Sequence, residues 1–476
     1  MQPMNPLGSA KNPLRIAIIG AGPSGFYAAD HLLKQDNLAV SIDMFDRLLT
    51  PFGLVRHGVA PDHLKIKNVT KAFAQTAADP RFRFFGNVEF GSDLTVDDLQ
   101  HHYHEAIFCT GAQTDRHLGI PGEDLVGSHP ATAFVAWYNG HPDYNHDQFD
   151  LNQESAIIVG VGNVALDVAR ILCLSPEELH ATDMPDYAVR ALSQSRIKDV
   201  YVLGRRGPAQ AAFTNPELKE LGELQEADLI IREDEAELDE LSAAEVEASG
   251  DRMLAKKVEM IRAFAGRAPE GKKRRLHLRF MVSPTEIIGD ESGGIRSVTL
   301  VRNRLEKSET GTIACVATEV TESIAAGLVF RSVGYRGVSL AGIPFNDRWG
   351  VIANARGRVI EVESGEPVLG EYAAGWIKRG PSGVIGTNKP DALESVTALL
   401  EDAAAGRAWS PSAPAAEAVV SLLASRGVAF TSYDDWCALD EAELAAGHEN
   451  GRPRVKFDSL EQMWAALRRK DGRAAG

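Results

Sequence analysis

The chain has only four cysteines, and none of them lies close to another in the sequence. They are Cys109, Cys173, Cys315 and Cys437. Without a CxxC or similar spacing, the sequence offers no ligand set for a structural zinc ion or an iron–sulfur cluster. It also offers no redox-active cysteine pair. We therefore expect scattered thiols in a reducing compartment and no metal site.

The sequence also lacks long apolar runs and a surplus of basic residues. No segment approaches the roughly 18 consecutive apolar residues of a membrane helix. The net charge of −16 disfavours binding to nucleic acid. Residues 1–8 have neither a charged region nor an apolar core of the kind found in export signals, so we expect a cytoplasmic location. A chain of 476 residues is long enough for two or three domains.

A glycine-rich turn follows the first apolar strand, at residues 15–19, and precedes an apparent helix. The turn consists of Gly20, Ala21, Gly22, Pro23, Ser24 and Gly25. In a GxGxxG turn the first glycine permits the sharp bend, the second admits a pyrophosphate, and the third lets helix and strand pack closely. Asp46 ends the next strand about 20 residues later, where a carboxylate accepts hydrogen bonds from ribose hydroxyls. These features predict a dinucleotide-binding unit; a fortuitous glycine turn is the weaker alternative.

A second unit begins at residue 155, where another apolar strand leads into another glycine turn. This turn consists of Gly160, Val161, Gly162, Asn163, Val164 and Ala165. Alanine in the third position widens the spacing between helix and strand, as is often seen where the ligand is NADP. Arg205 and Arg206 follow the next strand, where NAD enzymes place a carboxylate; two guanidiniums attract a 2′-phosphate instead. The pattern predicts NADPH, and a surface pair of arginines is the alternative.

A third glycine-rich segment lies at residues 375–388. Its closely spaced glycines indicate that the backbone approaches a ligand. Trp376 is placed to lie along a planar ring, and Gly383 would let a nicotinamide stack on a flavin without an intervening side chain. A tight structural turn explains the bare motif nearly as well.

Several strings of the sequence resemble the adrenodoxin reductase family of ferredoxin–NADP+ reductases. They are Pro-Phe-Gly-Leu-Val-Arg at 51–56, Gly-Val-Ala-Pro-Asp-His at 58–63, Gly-Arg-Arg-Gly-Pro at 204–208, Ala-Phe-Thr at 212–214, and the segment 376–388. The likeness spans residues 14–405, and residues 451–456 resemble the C-terminal end of bacterial members. It implies an α/β, glutathione-reductase-like fold with two Rossmann-like, three-layer dinucleotide-binding domains and a C-terminal helical extension.

The resemblance also implies how the chain is divided. We expect an FAD-binding domain in two parts, residues 14–114 and 326–405, with an NADP-binding domain at 115–325 between them. The apolar run 328–333 is expected to return the chain to the first domain. Residues 406–476 are expected to form a linker and a helical extension.

Site residues follow from the same resemblance. Contacts with FAD are expected from Ser24, Asp46, Leu54, Val88, Trp376, Gly383, Val384, Ile385 and Thr387. Contacts with NADP are expected from Arg116, Gly162, Asn163, Val164, Ala165, Arg205, Arg206, Glu217 and Gly383. The family commonly has glutamate where this chain has Asp46, so a shorter carboxylate must reach the ribose. His63 and Glu220 match a pair that organises the site and its protons; without the resemblance, His63 is more typical of a capping or packed histidine.

The implied activity is hydride transfer from NADPH to FAD, followed by one-electron transfers to a ferredoxin-type iron–sulfur protein. Lys219 and the basic stretch from Lys256 to Arg275 are candidate contacts for such an acidic partner, although a solvated helix face balancing the acidic stretch before it is equally compatible. A disulfide reductase would need the missing cysteine pair. An NADPH-oxidising subunit like the small subunit of glutamate synthase normally brings a cysteine-rich segment. A non-catalytic nucleotide-binding scaffold also stays open.

Overall fold

Two large sheets, one mixed and one parallel, organise the computed structural model, which describes residues 6–308 and 312–470. The first sheet has seven strands. Their spatial order is Asn354–Ala355, Arg358–Ile360, Pro367–Ala373, Glu105–Phe108, Leu14–Ile19, Val40–Asp46 and Phe82–Gly86. We call this sheet and its helices the first unit. Its strands come from two separate parts of the chain, so the unit is discontinuous in sequence. The α/β fold class agrees with the prediction.

The second sheet has six strands and, with its helices, forms the second unit. The order is Ser128–Pro130, Leu328–Arg331, Ser155–Val159, Asp199–Leu203, Arg274–Arg279 and Ala227–Ile230. One expectation was wrong here. The strand Leu328–Arg331 does not return the chain to the first unit, because it pairs in parallel with Ser155–Val159 and Ser128–Pro130. The return follows it, where Tyr335–Arg336 pairs with the outgoing segment Thr114–Asp115.

A three-stranded antiparallel sheet extends from the second unit. Its strands are Val282–Gly289, Ile295–Lys307 and Ile313–Ala325. The central strand Ile295–Lys307 pairs antiparallel with both of the others. A further short pair joins Phe345–Asn346 to Val351–Ile352.

Helices cover both sheets, and two of them start directly at the glycine turns. These two are Pro23–Leu33 and Asn163–Cys173. The others before residue 300 are Leu54–His57, Leu64–Lys67, Thr70–Ala77, Val96–His102, Ala131–Tyr138, Pro176–His180, Asp186–Ser193, Asn215–Leu221, Glu233–Ala236, Glu240–Ser249 and Arg252–Ala265. Later ones are Trp376–Arg379, Asn388–Ala404, Ala416–Ser425, Tyr433–Glu449 and Leu460–Lys470. No helix in the described ranges combines the length and apolar character needed to cross a membrane.

The C-terminal helices pack on the first unit. Trp436, Leu439, Met463 and Leu467 are buried in the same apolar cluster as the strands Leu14–Ile19 and Val40–Asp46. The predicted helical extension is therefore present up to residue 470 and is part of the core of the first unit.

Candidate nucleotide sites and their junction

The first glycine of each turn is required by its surroundings. Gly20 has φ +108°, and a Cβ atom there would lie 2.6 Å from the carbonyl oxygen of Cys109. Gly160 has φ +132°, and a Cβ atom would lie 2.1 Å from the carbonyl oxygen of Ser332. Any side chain would force the neighbouring strand away. The two turns therefore have the tight geometry that the GxGxxG pattern predicts.

The second glycines show the opposite feature, because nothing fills the space beside them. A Cβ atom at Gly22 or Gly162 would meet no atom within 4 Å. Each of these glycines caps a helix without a side-chain hydrogen bond and without an acidic residue in the first turn. The backbone N–H groups at these helix ends carry partial positive charge and suit a phosphate. Both turns thus fit the pyrophosphate of a dinucleotide.

Asp46 lies beside the first turn, at the carboxyl end of its strand. Its Oδ2 accepts a hydrogen bond from the backbone N–H of Ala21 at 2.8 Å, and its Oδ1 accepts one from Leu48 at 2.9 Å. Burial raises the pKa of Asp46, and these two N–H groups oppose that shift. Each carboxylate oxygen has a further lone pair for a ribose hydroxyl. Val88 lies next to it, donating its N–H to the Asp46 carbonyl at 2.9 Å.

The segment 375–388 closes over the first turn. Ser24 Oγ donates to Asn388 Oδ1 at 3.2 Å, which joins two predicted site segments 364 residues apart. Thr387 holds the turn by bonding both the N–H and the carbonyl of Val384 at 2.7 Å. Trp376 Nε1 donates to the Ser382 carbonyl at 3.2 Å. The turn therefore has a structural role, which is compatible with the predicted contacts of Gly383, Val384 and Ile385.

Large apolar side chains near the first glycine turn are exposed to solvent. Leu54 follows Gly53, whose added Cβ atom would lie 2.9 Å from Gly22 Cα, so the helix Leu54–His57 sits next to the first turn. Leu54 is 40% exposed and Val384 is 56% exposed. Large exposed apolar side chains beside a phosphate-binding turn suit a planar aromatic ligand.

In the second unit, Asn163 links the glycine turn to the helix Asn215–Leu221. Its Oδ1 accepts from the Thr214 N–H at 2.9 Å, and its Nδ2 donates to Glu217 Oε1 at 3.2 Å. Glu217 Oε2 is buried without a hydrogen-bond partner among the described residues. An orphaned acceptor of this kind suits a ligand donor such as a carboxamide. Burial raises the pKa of Glu217.

Arg205 and Arg206 lie beyond the strand Asp199–Leu203, as predicted. Arg205 is exposed and Arg206 is half-buried. Within the described parts of the chain, no carboxylate forms an ion pair with either guanidinium. Two uncompensated guanidiniums at this strand end suit a 2′-phosphate. Arg116, also exposed, lies at the crossing between the units, where its N–H donates to the Gly334 carbonyl at 3.0 Å.

His63 and Glu220 meet where the two units face each other. His63 Nε2 lies 2.9 Å from Glu220 Oε2. On the other side of the ring, His63 Nδ1 lies 3.9 Å from Asp167 Oδ1. Burial alone would lower the pKa of His63, but the hydrogen bond to Glu220 and the nearby carboxylates raise it. The same hydrogen bond lowers the pKa of Glu220.

Arg170 connects these groups, and the sequence reasoning missed it. Its guanidinium makes two hydrogen bonds to Asp62, at 2.7 and 2.9 Å, and reaches Asp167 Oδ1 at 2.8 Å and Glu220 Oε2 at 3.2 Å. Arg170 is 3% exposed. Asp167 and Arg170 are three residues apart on the helix that follows the second glycine turn, so both face the same side. That spacing is the signal that would have indicated them.

The basic residues proposed to dock a partner are largely engaged within the chain. Arg262, Lys273 and Arg275 pair with carboxylates. Lys257, Arg267, Lys272 and Arg274 donate to backbone carbonyls. Lys219, next to Glu220, forms an exposed pair with Glu223 at 3.3 Å, its one ion pair among the described residues. Most cationic side chains of the stretch thus already have partners within the chain. Lys219, which forms only an exposed ion pair among the described residues, is more available to a partner protein.

Each of the four cysteines lies in the described part of the chain, and none of them forms a disulfide. Cys109 and Cys173 are buried, and burial raises the pKa of Cys173 to about 12.

Two dinucleotide-type turns at the carboxyl ends of parallel strands, facing one junction, define an oxidoreductase of the two-site flavoprotein class. Known proteins agree. The pattern of the pyridine nucleotide-disulphide oxidoreductase family matches residues 14–202. NADPH-ferredoxin reductase FprA of Mycobacterium tuberculosis is 45% identical over 95% of this chain and 98% of its own. The mitochondrial NADPH:adrenodoxin oxidoreductase of Arabidopsis thaliana is 40% identical over 96% of each chain.

The structural comparison gives the same result. The structure of Mycobacterium tuberculosis FprA in complex with NADPH matches with a TM-score of 0.89 and 44% identity, covering 96% of this chain and 100% of that one. The chain therefore belongs to the adrenodoxin reductase-type family of ferredoxin–NADP+ reductases, which confirms the resemblance seen in the sequence motifs.

Proposed function

We propose that this protein is an NADPH-dependent ferredoxin reductase that holds FAD in the first unit and NADP(H) in the second. The observation that carries the proposal is the junction: His63 from the first unit and Glu220 from the second are joined at 2.9 Å between the two glycine turns. When bound, FAD would take a hydride from NADPH and pass the electrons on singly. The protein's contribution is then to position two ligands against each other.

The proposed FAD contacts surround the first turn. The N–H groups at Gly22 would hold the pyrophosphate, and Asp46 would accept from the ribose hydroxyls. The segment 376–387, with Leu54, would border the flavin ring. The division into an FAD-binding domain of two parts and an inserted NADP-binding domain belongs to this proposal, with the second domain extended to Arg331 because of its strand pairing.

The proposed NADP contacts follow the second turn. The N–H groups from Gly162 to Ala165 would hold the pyrophosphate, Arg205 and Arg206 the 2′-phosphate, and Glu217 the carboxamide. Arg116 would approach from the crossing segment. His63 and Glu220 would fix the nicotinamide edge and hold a proton at His63 Nε2, because the carboxylate favours the charged ring.

The partner in this proposal is an iron–sulfur protein of the ferredoxin type. Relatives named for ferredoxin and adrenodoxin support the class of partner. Lys219 supports the place, because it lies beside Glu220 with its side chain largely exposed. The stretch from Lys256 to Arg275 supports it less, because most of its charges are already engaged. A cytoplasmic location stays a prediction.

The test is direct. The purified protein is expected to be yellow, to lose its flavin absorbance quickly with NADPH and slowly with NADH, and then to reduce an added ferredoxin. A colourless protein would contradict the first site, and equal reduction by both nucleotides would contradict the role of Arg205 and Arg206. A protein that takes electrons from NADPH but passes none to any ferredoxin tested would support the alternative of a subunit in a larger complex.

A further inference from the structure

The antiparallel sheet consists of Val282–Gly289, Ile295–Lys307 and Ile313–Ala325, and one end of it contacts the loop of Arg205 and Arg206. Asn303 lies at that end, at a register shift between Val301 and Asn303 in the pairing of two strands. A bulge of this kind redirects a side chain at a chosen point of a sheet. Asn303 is only 5% exposed.

The amide of Asn303 is directed at the arginine loop. Its Nδ2 donates to the backbone carbonyl of Arg205 at 2.9 Å and to Ser283 Oγ at 2.8 Å. Its own N–H donates to the Met281 carbonyl at 2.7 Å. The thiol of Cys315 reaches the same Arg205 carbonyl at 3.0 Å. The Arg205 carbonyl is therefore held from two strands of the antiparallel sheet.

The carbonyl of Arg206 is held in the same way. It accepts from the Met281 N–H at 3.2 Å, and Met281 has φ +57°, a conformation that a residue other than glycine rarely adopts. Val282 then donates to the Gly204 carbonyl at 3.0 Å. Three consecutive carbonyls, from Gly204 to Arg206, thus accept hydrogen bonds from the antiparallel sheet or from Met281, the residue just before it. The arginine side chains themselves stay unpaired with any carboxylate of the described residues.

We propose that Asn303 is a positioning residue for nucleotide specificity, which acts through the Arg205 backbone and so places the two guanidiniums for a 2′-phosphate. This inference rests on the proposed use of NADPH. Long arginine side chains bind phosphate strongly only if their backbone is already in place, because ordering it on binding costs affinity. Asparagine supplies both donor hydrogens at this point, whereas aspartate has only acceptors and would face the Arg205 carbonyl with negative charge.

The experiment compares two small probes by calorimetry on the purified holoenzyme: 2′,5′-ADP, which carries the 2′-phosphate, and 5′-AMP, which lacks it. For Asn303→Ala we expect binding of 2′,5′-ADP to weaken about 5- to 10-fold, the value of one buried hydrogen bond to a positioned group. Binding of 5′-AMP should stay within about two-fold, since the proposed role of Asn303 concerns only the 2′-phosphate, which this probe lacks. Asn303→Asp should weaken the binding of 2′,5′-ADP further than Asn303→Ala does.

Thr318→Ala is the matched control. Thr318 Oγ1 donates to the Arg302 carbonyl at 2.7 Å, so this change removes a side-chain bond to backbone in the same sheet without touching the arginine loop. It should leave both affinities unchanged. Equal weakening of both probes by Asn303→Ala, or no weakening of either, would overturn the proposal.

Two further results keep the test decisive. If the wild-type protein binds the two probes equally, the proposed NADP site is contradicted. If the wild type prefers 2′,5′-ADP and Asn303→Ala keeps that preference, only the proposed role of Asn303 is contradicted. Should Asn303→Ala not fold, Ser283→Ala removes the partner that orients the amide. It should weaken 2′,5′-ADP selectively by about two- to three-fold. An unchanged preference in Ser283→Ala would then refute the proposal.

Discussion

His63 and Glu220 are 157 residues apart in the chain and share a hydrogen bond of 2.9 Å. Each belongs to a different unit, so the contact forms only when the two units are correctly placed. Because Glu220 is 41% exposed and His63 only 11%, the pair sits at the edge of the junction with the ring turned inward. The hydrogen bond between His63 and Glu220 therefore depends both on the protonation of the pair and on the relative position of the two units.

Removing the carboxylate should lower the pKa of His63. In Glu220→Gln the ring loses the hydrogen bond that favours its charged form, while burial, which disfavours that form, remains. The measurement is NMR titration of the His63 ring in wild type and variant. Glu223→Gln, one turn later on an exposed pair with Lys219, is the control and should leave the His63 pKa in place. An unchanged His63 pKa in Glu220→Gln would show that Asp167 and Asp62 dominate instead, and a raised one would contradict the prediction.

The same pair predicts how stability depends on pH. The raised pKa of His63 means that its contribution is present below the ordinary value of 6.5 and lost as pH rises through the raised value. The lowered pKa of Glu220 means that its contribution is present above the ordinary value of 4.5 and lost as pH falls through the lowered value. A double-mutant cycle of urea unfolding with His63→Gln and Glu220→Gln should show coupling between those two pH values and none in alkali. Coupling that persists in alkali would contradict a charged pair.

Arg170 should be important for stability as well as for the site. Arg170→Met leaves Asp62 and Asp167 without their shared cation in a buried setting, which costs about 3–5 kcal/mol of unfolding free energy. Denaturant unfolding measures the loss, and the exposed Arg190→Met is the matched control. Arg170→Lys keeps the charge but not the forked geometry, so it should recover only part of the stability. Full recovery by lysine would mean that charge alone matters.

The nucleotide turns were predictable because their signals are local. Gly20, Gly22, Gly160 and Gly162 lie within a few residues of the strand and helix they join, and Arg205 follows a strand end. The strand Leu328–Arg331 was misassigned because an apolar run indicates a buried strand but not the sheet to which that strand belongs. In the structure it pairs with a strand more than 150 residues earlier in the chain. Such pairings are decided by the whole chain.

The missed features share that cause. The i, i+3 spacing of Asp167 and Arg170 indicates that they share one helix face, but it does not indicate that Asp62 of the other unit packs against that face. In the long antiparallel strands, apolar and polar residues alternate irregularly, and the pairing contains register shifts. The sequence therefore shows neither the two-residue period of a strand nor the 3.6-residue period of a helix clearly. Asn303 has no local pattern at all, since its partner carbonyl is 98 residues away.

Arg205 should set nucleotide preference. Arg205→Ala removes a charge-assisted contact to the 2′-phosphate, so the KM for NADPH should rise about 10- to 100-fold while the KM for NADH changes little. Steady-state kinetics with each nucleotide measures this. Arg304→Ala, an exposed arginine of the antiparallel sheet that pairs with Glu306 at 2.6 Å, is the control. A parallel rise in both KM values would argue for damage to the loop rather than loss of a phosphate contact.

Glu105 predicts a stabilising substitution. It is fully buried, its Oε2 has no hydrogen-bond partner in the described residues, and burial together with the nearby Asp402 raises its pKa to about 9. A carboxyl whose folded pKa is raised destabilises the fold progressively from its ordinary value of 4.5 up to the raised one. Glu105→Gln should therefore gain stability relative to wild type as pH rises from about 5 to 9, by about 3 kcal/mol near neutrality. Urea unfolding at several pH values tests this, with the partly exposed Glu306→Gln as control; a pH-independent difference would contradict it.

The C-terminal segment should hold the two units together. Arg452 pairs with Asp186 and donates to the carbonyls of Met184 and Thr182, all in the second unit, although the helices on either side of Arg452 pack on the first. Lys456 continues this link, with Nζ 3.1 Å from the Arg56 carbonyl and 3.3 Å from Asp183. Arg452 is 6% exposed, so its loss leaves buried carbonyls unsatisfied.

Arg452→Ala should therefore speed amide hydrogen exchange in residues 182–186 and lower the melting temperature, because the second unit loses an anchor that its own core does not replace. Hydrogen exchange read by mass spectrometry locates the effect. Arg426→Ala is the control, since Arg426 pairs with Asp98 at 2.7 Å inside the first unit; it should leave exchange at 182–186 unchanged. If Arg452→Ala instead speeds exchange only within the C-terminal helices, the segment stabilises its own fold and does not connect the units.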